Sequence, residues 1–234
     1  MRTFFNKLHK LIYAKTGVFD NAIFSLPVVL VIMVVYWLVR RSLHKRKFGE
    51  KFNRIRQESR LNEIIRLLLL GWIAEIICVT LTPSALWDVF WQNIINGESL
   101  DFGIWQFSYK SPNFIPIVID YVINGHLDWL LHSAKHFITH FAANIAMFIP
   151  LGLILPFVCK NISFIKATVI GLSCSFTIEL IQCFLNRDSD VDDLICNIVG
   201  TALGYLLYLL TRKLFPNFTE KARMSANELW LRTC

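Results

Sequence analysis

Two apolar runs between Phe176 and Tyr205 carry the residues of this sequence that are best suited to chemistry. The first run contains Glu179 and Gln182, the second contains Asn197, and a short acidic turn joins them. A carboxylate at membrane depth costs about 2.5–3.5 kcal/mol, so an intramembrane glutamate that faces an acidic turn predicts a functional site. The turn and the start of the second run supply four more candidate binding residues, which are Arg187, Asp190, Asp192 and Asp193, and Asn144 of an earlier apolar run is a further candidate.

Helical spacing predicts that these polar residues form facing stripes. Glu179, Gln182 and Asn186 stand at i, i+3 and i+7, and Asp193 and Asn197 stand at i and i+4. Residues at these spacings share one face of a helix. A helix rises about 1.5 Å per residue, which predicts that the glutamate lies roughly 10 Å below the turn.

Two kinds of chemistry fit the acidic turn. The charge of Glu179 needs Arg187 as a partner or else a proton, and crowded aspartates need a cation or the same arginine. Clustered carboxylates can hold Mg²⁺ or another hard cation, which would suit a phosphate-bearing lipid. A purely structural alternative is an aspartate-rich cap at a helix N-terminus, where acids are favoured. That alternative leaves Glu179 and Gln182 unexplained.

Three histidines, His132, His136 and His140, recur every four residues and are expected to share one helix face. Neutral imidazoles at this spacing can bind zinc, and such a run can also sense pH. No carboxylate or cysteine stands in the same register. We therefore interpret the run as a polar stripe at the membrane edge and predict no metal site.

The composition determines the kind of scaffold that must position these residues. The chain has 234 residues, of which 55% are hydrophobic and 18% charged, and this excludes an ordinary soluble domain. The six cysteines lie mostly in or beside apolar runs and lack metal-ligand spacing, which favours buried thiols. A spanning helix needs about 20 mainly apolar residues. The sequence predicts an all-α, polytopic membrane protein with spans at about 21–39, 64–82, 138–158, 164–186 and 191–211.

Charge placement predicts the topology. The segment from Arg40 to Arg66 has ten basic residues against three acidic ones, so we expect it to be a cytoplasmic loop. Alternation then places 83–137 and the turn 187–192 outside the cell membrane and the tail 212–234 inside. The net charge of +7 faces the anionic inner leaflet in this arrangement, and no nucleic-acid partner is predicted.

The chain divides into three parts. Residues 1–63 hold an N-terminal helix, the first span and the basic loop. The N-terminal helix is basic and amphipathic, lacks the features of a signal peptide, and is expected to lie on a membrane surface. Residues 64–211 form a transmembrane domain with an outer loop at 83–137, and 212–234 form the cytoplasmic tail.

The third and fifth spans carry further motif residues. Asn144 must find a hydrogen-bond partner or face water. Pro150 and Gly152 follow it in the third span, where a proline bends the helix. Gly200 and Gly204 in the last span have the spacing of a close-packing motif.

The motifs together resemble the VanZ-like membrane proteins. They are NIAMFIPLG, IELIQ and R-x-x-D-x-D-D-L-x-x-N-x-x-G-x-x-x-G, with TLTP at Thr80–Pro83 and NFIPI at Asn113–Ile117. The resemblance covers about residues 64–211, and the N-terminal part with its added span, Glu75 and the histidine run depart from it. On this resemblance the family's polar motif falls on Asn144, Pro150, Gly152, Glu179, Gln182, Arg187, Asp190, Asp192, Asp193, Asn197, Gly200 and Gly204.

The resemblance implies lowered sensitivity to teicoplanin-type lipoglycopeptides in Gram-positive bacteria, and it supplies no established reaction. Three hypotheses stay open. The first is a membrane factor whose outward-facing polar pocket binds a lipid, a lipid-linked cell-wall intermediate or the lipid-anchored antibiotic. The second is an intramembrane enzyme acting on a phosphate-bearing lipid, although no Ser–His or Cys–His arrangement is evident. The third is a small lipid transporter or flippase that uses the glutamate as a proton site. The residues identify neither a ligand nor a cofactor.

Overall fold

The computed structural model describes residues 17–82, 86, 90, 93–94, 96–97, 107–124, 134–185, 187, 189–225 and 228. Among these residues the fold is all-α, with two isolated backbone bridges, and the predicted fold class is confirmed. The predicted surface helix in 1–15 and most of the segment 83–106 lie outside the described residues. The helices are α1 (Gly17–Phe48), α2 (Phe52–Glu58), α3 (Arg60–Leu81), α4 (Ile117–Ile123), α5 (Ala134–Val158), α6 (Phe164–Gln182), α7 (Val191–Leu214) and α8 (Pro216–Arg223).

Five helical segments in this described part of the chain are long and apolar enough to cross a membrane. Large apolar side chains stay exposed along them, among them Leu30, Val34 and Leu206, as faces that contact lipid require. The prediction of a multi-pass membrane protein with five spans is confirmed. The segments are Ala22–Glu58, Arg60–Leu81, Phe137–Val158, Phe164–Gln182 and Val191–Leu214.

The basic segment after the first span is helical, although we expected a loop. Helix α1 continues through the start of it to Phe48, because arginine and lysine are strong helix formers. The chain turns at a short 3₁₀ helix that begins with Gly49, whose φ of +53° favours glycine. Phe52 and Ile55 of α2 then pack against Phe48.

Helices α5 and α7 have the most extensive contact in the described fold. Their backbones touch at glycines: a Cβ on Gly200 would collide with the carbonyl oxygen of Ile145, and one on Gly204 with that of Ile149. Gly152 on α5 lies in the same way against the carbonyl oxygen of Thr201. Such close approach raises dispersion contact between spans in lipid, where no hydrophobic effect drives helices together.

A buried asparagine closes one end of the bundle. Asn62 near the start of α3 donates from Nδ2 to the carbonyl oxygens of Phe157 (3.1 Å) and Ala222 (2.8 Å). Arg66, one turn later, donates from Nη2 to the carbonyl oxygen of Val158 at 3.0 Å. The last carbonyls of a helix lack intrahelical donors, so these bonds fasten the ends of α5 and α8 to α3.

The opposite end is where the α6–α7 turn lies, and we call it the hairpin end. There an extended segment preceding α4 pairs with the turn: Asn113 N donates to Ser189 O (2.8 Å), and Val191 N donates to Asn113 O (3.0 Å). Lys110 N likewise donates to Cys183 O at 2.8 Å. The pairing holds part of the predicted outer loop against the turn that carries the candidate site.

Candidate functional site

Glu179 lies in the last turn of α6 and is buried, with 8% of its surface exposed. Its Oε2 accepts a hydrogen bond from the backbone N of Asp190 at 3.2 Å, and the hydroxyl of Ser189 also donates to the carboxylate. The turn therefore folds back onto the glutamate, and the expected separation of roughly 10 Å is wrong. Helix α6 ends at Gln182 rather than 186, which lets the chain reverse earlier.

Two polar residues attach the hairpin to the end of α3. Gln182 Nε2 donates to the carbonyl oxygen of Thr80 at 2.9 Å, and Arg187 Nη1 donates to that of Thr82 at 2.6 Å. Arginine and glutamine donors satisfy carbonyls that a helix leaves open at its C-terminus. The TLTP and IELIQ motifs meet at this point, which the sequence could not show.

Asp193, in the first turn of α7, joins two side chains of α5. Asn144 Nδ2 donates to its Oδ1 at 2.5 Å, and His140 Nδ1 lies 3.6 Å from the same oxygen. His140 and Asn144 stand four residues apart on one helix face. The imidazole is half exposed, whereas 21% of the Asp193 side chain is exposed. A carboxylate can orient an imidazole and stabilise its protonated form.

Our interpretation of the histidine run missed this contact. It found no carboxylate in register within the same helix, but the carboxylate comes from another helix. The spacing of His140 and Asn144, with Asn144 already in the motif, was the available signal. His132 lies outside the described residues, and the side chain of His136 is likewise not described.

The remaining aspartates have hydrogen-bond partners of their own, but Asp190 and Asp192 lie close enough to Asp193 for the like charges to repel, as the crowded turn predicted. Asp192 Oδ2 accepts from the backbone N of Ile117 at 2.7 Å and thus holds the first residue of α4. Asp190 is the N-cap residue of α7, without a capping bond from its side chain, and its backbone bridges Asn113. Asn186 and Asp188 lie outside the described residues.

Asn197 is buried between α6 and α7, where its Nδ2 donates to Ser175 Oγ at 2.9 Å. Its Oδ1 has no donor among the described residues, and the same is true of Gln182 Oε1. An unsatisfied buried polar atom costs about 1–3 kcal/mol, so these two acceptors of the α6–α7 hairpin call for an explanation, as does the third described one, Glu75 Oε2 on α3.

The described residues do not bring three His, Cys, Asp or Glu side chains together in a cluster that could hold a metal ion.

Pro150 lies mid-helix in α5, and Trp72 Nε1 donates to the nearby carbonyl oxygen of Met147 at 2.8 Å. We call the polar residues described above the hairpin-end site: His140, Asn144, Glu179, Gln182, Arg187, Asp193 and Asn197.

Comparison with known proteins gives the family. Residues 24–212 match the family model described as VanZ/LLP1, which is most of the chain. The chain belongs to the VanZ/LLP1 family. The match includes every residue of the hairpin-end site, and it begins inside α1, so the first span, which we had treated as an addition, lies within the VanZ/LLP1 region.

A curated relative supports the same assignment over a shorter stretch. The chain is 41% identical over 71 residues to Protein VanZ of Enterococcus faecium. The aligned stretch is 30% of this chain and spans less than half of that protein, 44% of its length. No solved structure matches the chain.

Proposed function

We propose that this VanZ-family protein lowers sensitivity to teicoplanin-type lipoglycopeptides, and that the hairpin-end site binds a membrane lipid or a lipid-linked cell-wall intermediate. The observation that carries the proposal is the pair of buried acceptors, Gln182 Oε1 and Asn197 Oδ1, that lack donors among the described residues. A ligand that brings its own donors would satisfy them. Membrane chains keep buried polar groups chiefly where they serve such a role.

The polarity of the site narrows the ligand chemistry. Glu179 and Asp193 add carboxylates to the two amide acceptors, so hydroxyl and ammonium groups fit the site better than bare phosphates. Sugar hydroxyls of a lipid-linked intermediate and the amine of a lipid headgroup both meet this requirement. The half-exposed ring of His140 marks the accessible edge of the site.

The proposed side of the membrane follows from charge. The basic segment between Arg40 and Arg66 belongs to the bundle end that is opposite the hairpin end, and basic segments stay in the cytoplasm. The hairpin turn 187–192 then faces the extracellular side, where lipoglycopeptides act.

The test replaces both members of one buried hydrogen-bonded pair, so that neither side chain is left as an unsatisfied polar group. In the double variant Asn197→Leu/Ser175→Ala both members of a buried hydrogen bond become apolar, which is close to neutral for folding. We expect the parent to raise the teicoplanin concentration that inhibits a susceptible Gram-positive host, and to retain a co-purifying lipid in native mass spectrometry. The double variant should lose both at normal expression.

The control is Ser173→Ala/Thr177→Val, which changes two exposed hydroxyls of the same helix. It should behave like the parent. Retained lipid and full protection in Asn197→Leu/Ser175→Ala would contradict the proposed site.

A second candidate function, catalysis on a lipid, is favoured by the contact between His140 and Asp193. An exposed imidazole with a carboxylate beside it has the arrangement of a general base. Purified protein that converts a lipid substrate, with conversion lost in His140→Gln while lipid binding remains, would support this alternative.

A further inference from the structure

A polar cavity lies at the end of the bundle opposite the hairpin end. It is a cleft of about 630 Å³ between α1, α2 and the start of α3. None of the hairpin-end residues lines it, so it is a separate site from the one proposed above. Its lining is basic and aromatic, and no role is implied for it by the motifs of the sequence.

Four arginines line the cleft: Arg40, Arg41, Arg56 and Arg60, against one carboxylate, Glu63. With the lining histidine neutral, four positive charges minus one negative charge leave +3. The lysines of the same basic segment, Lys45, Lys47 and Lys51, lie off the cleft. Arginine rather than lysine is the residue suited to two-pronged recognition of phosphate, because its planar guanidinium presents paired donors.

One of the four arginines is already neutralised. Arg40 donates from Nε and Nη2 to the two carboxylate oxygens of Glu63, at 2.5 and 3.0 Å, and from Nη1 to the hydroxyl of Tyr36 at 3.2 Å. The ion pair joins α1 to α3 and fixes one wall of the cleft. The charge of Arg40 is therefore not available to a ligand that enters the cleft.

The other three arginines keep their donors for a ligand. Arg41 lies over the ring of Trp37, 5.2 Å from its centroid, and this contact orients its guanidinium. Arg56 and Arg60 lie one helical turn apart across the junction of α2 and α3, and among the described residues neither has a hydrogen-bond or ion-pair partner. Three like charges around one cleft repel one another unless an anion lies between them.

The cleft lies at the depth of lipid headgroups. The apolar stretch 22–39 of α1 has 18 residues, which at about 1.5 Å each covers about 27 Å, close to a bilayer core of about 30 Å. Tyr36 and Trp37 lie near the end of that stretch, where aromatic residues mark the membrane interface. Ile64, with 43% of its surface exposed, extends the lining of the cleft toward the apolar region.

We propose that this cleft binds the phosphate of an anionic membrane lipid. Arg41, Arg56 and Arg60 contact the phosphate, and Ile64 contacts the start of an acyl chain. Basic pockets between spanning helices bind anionic headgroups in this way. Free inorganic phosphate shares the chemistry of the headgroup but cannot use the apolar part of the cleft, so the lipid is the better occupant.

The test uses the purified full chain in a neutral detergent, with bound lipid counted by native mass spectrometry. Phosphatidylglycerol should bind at one molecule per chain, and phosphatidylcholine should not compete with it. In Arg56→Gln/Arg60→Gln the affinity for phosphatidylglycerol should fall by about tenfold or more, because two phosphate contacts are removed. The melting temperature without lipid should stay at the parent value, since both side chains are exposed and have no hydrogen-bond or ion-pair partner in the described part of the chain.

The matched control is Lys45→Gln/Arg46→Gln, which removes the same charge from the same segment at exposed positions off the cleft. It should keep affinity within about twofold of the parent. If Arg56→Gln/Arg60→Gln is unstable, the single variant Arg41→Gln serves in its place with the same expectation. Equal losses in the cleft variant and the control would overturn the proposal, because the binding would then be a general effect of surface charge. Displacement of the lipid by an equimolar amount of inorganic phosphate would overturn the assignment to a lipid.

Discussion

The carboxylate of Asp193 on α7 accepts a hydrogen bond from the side-chain amide of Asn144 on α5, with Oδ1 and Nδ2 2.5 Å apart. The same two helices touch backbone to backbone further along, at Gly200 and Gly204. The contact that builds the scaffold therefore also positions the polar residues at its end. A change that separates α5 from α7 should disturb the hairpin-end site even when it lies far from that site.

The glycines give the first prediction. Gly204→Ala places a methyl group against the carbonyl oxygen of Ile149, which is backbone and cannot move aside. We expect a loss of about 1–3 kcal/mol in stability, measured as a lower melting temperature in detergent. Gly71→Ala is the control, because the atoms nearest to its new methyl group belong to the flexible side chain of Met33. Equal melting temperatures for the two variants would contradict the close packing.

The second prediction concerns the end of the bundle opposite the hairpin. Asn62→Leu removes two donors and leaves the buried carbonyl oxygens of Phe157 and Ala222 without them. Unsatisfied buried carbonyls cost about 1–3 kcal/mol each, so the melting temperature should drop clearly. Asn217→Leu changes an exposed asparagine of α8 and should have little effect. Similar losses in both variants would mean that Asn62 has no special structural role.

The third prediction separates the histidines. His140 is the histidine with a described contact to Asp193, so His140→Gln should reduce teicoplanin protection while the protein remains folded. His132→Gln/His136→Gln should leave folding and protection near the parent level, as our interpretation of a polar stripe requires. Stoichiometric zinc in the purified parent, lost in the double variant, would show that the stripe is a metal site.

The fourth prediction concerns topology. We expect Lys45 and Lys110 on opposite sides of the membrane, with Lys45 in the cytoplasm, because the Arg40–Arg66 segment is strongly basic. Single cysteines introduced at these two positions, with the native cysteines replaced, can be probed by an impermeant thiol reagent on intact cells. Position 110 should be labelled and position 45 protected, and the reverse pattern would overturn the topology.

The sequence was sufficient for the architecture because apolar length alone identifies a spanning helix. The prediction from sequence was wrong at the ends of the spans, because apolar length does not determine the residue at which a helix ends. The basic residues from Arg40 to Phe48 extend α1 because their helix propensity is high, although their charge suggested a loop. Helix α6 ends at Gln182, although polar residues at helical spacing continued beyond it.

The sequence was sufficient to identify the residues of the site, but it did not predict which of them contact one another. Glu179 was expected to need Arg187 or a proton, and its described partners are Ser189 and the backbone of Asp190, while Arg187 donates to Thr82. Helical spacing relates residues within one helix. It carries no information about which residues of α3 or α5 lie opposite, so the contacts to Thr82 and His140 needed the structure.

The most direct test of the central claim is the teicoplanin susceptibility of a Gram-positive host that expresses Glu179→Gln or Asp193→Asn. Each variant keeps an acceptor oxygen and the size of the side chain, so we expect stability within about 1 kcal/mol of the parent. Glu220→Gln, an exposed carboxylate of α8, is the control and should protect fully. If the hairpin-end site carries the function, Glu179→Gln and Asp193→Asn should lose protection while their melting temperatures in detergent stay near that of the parent. Full protection by both, at normal expression, would contradict it.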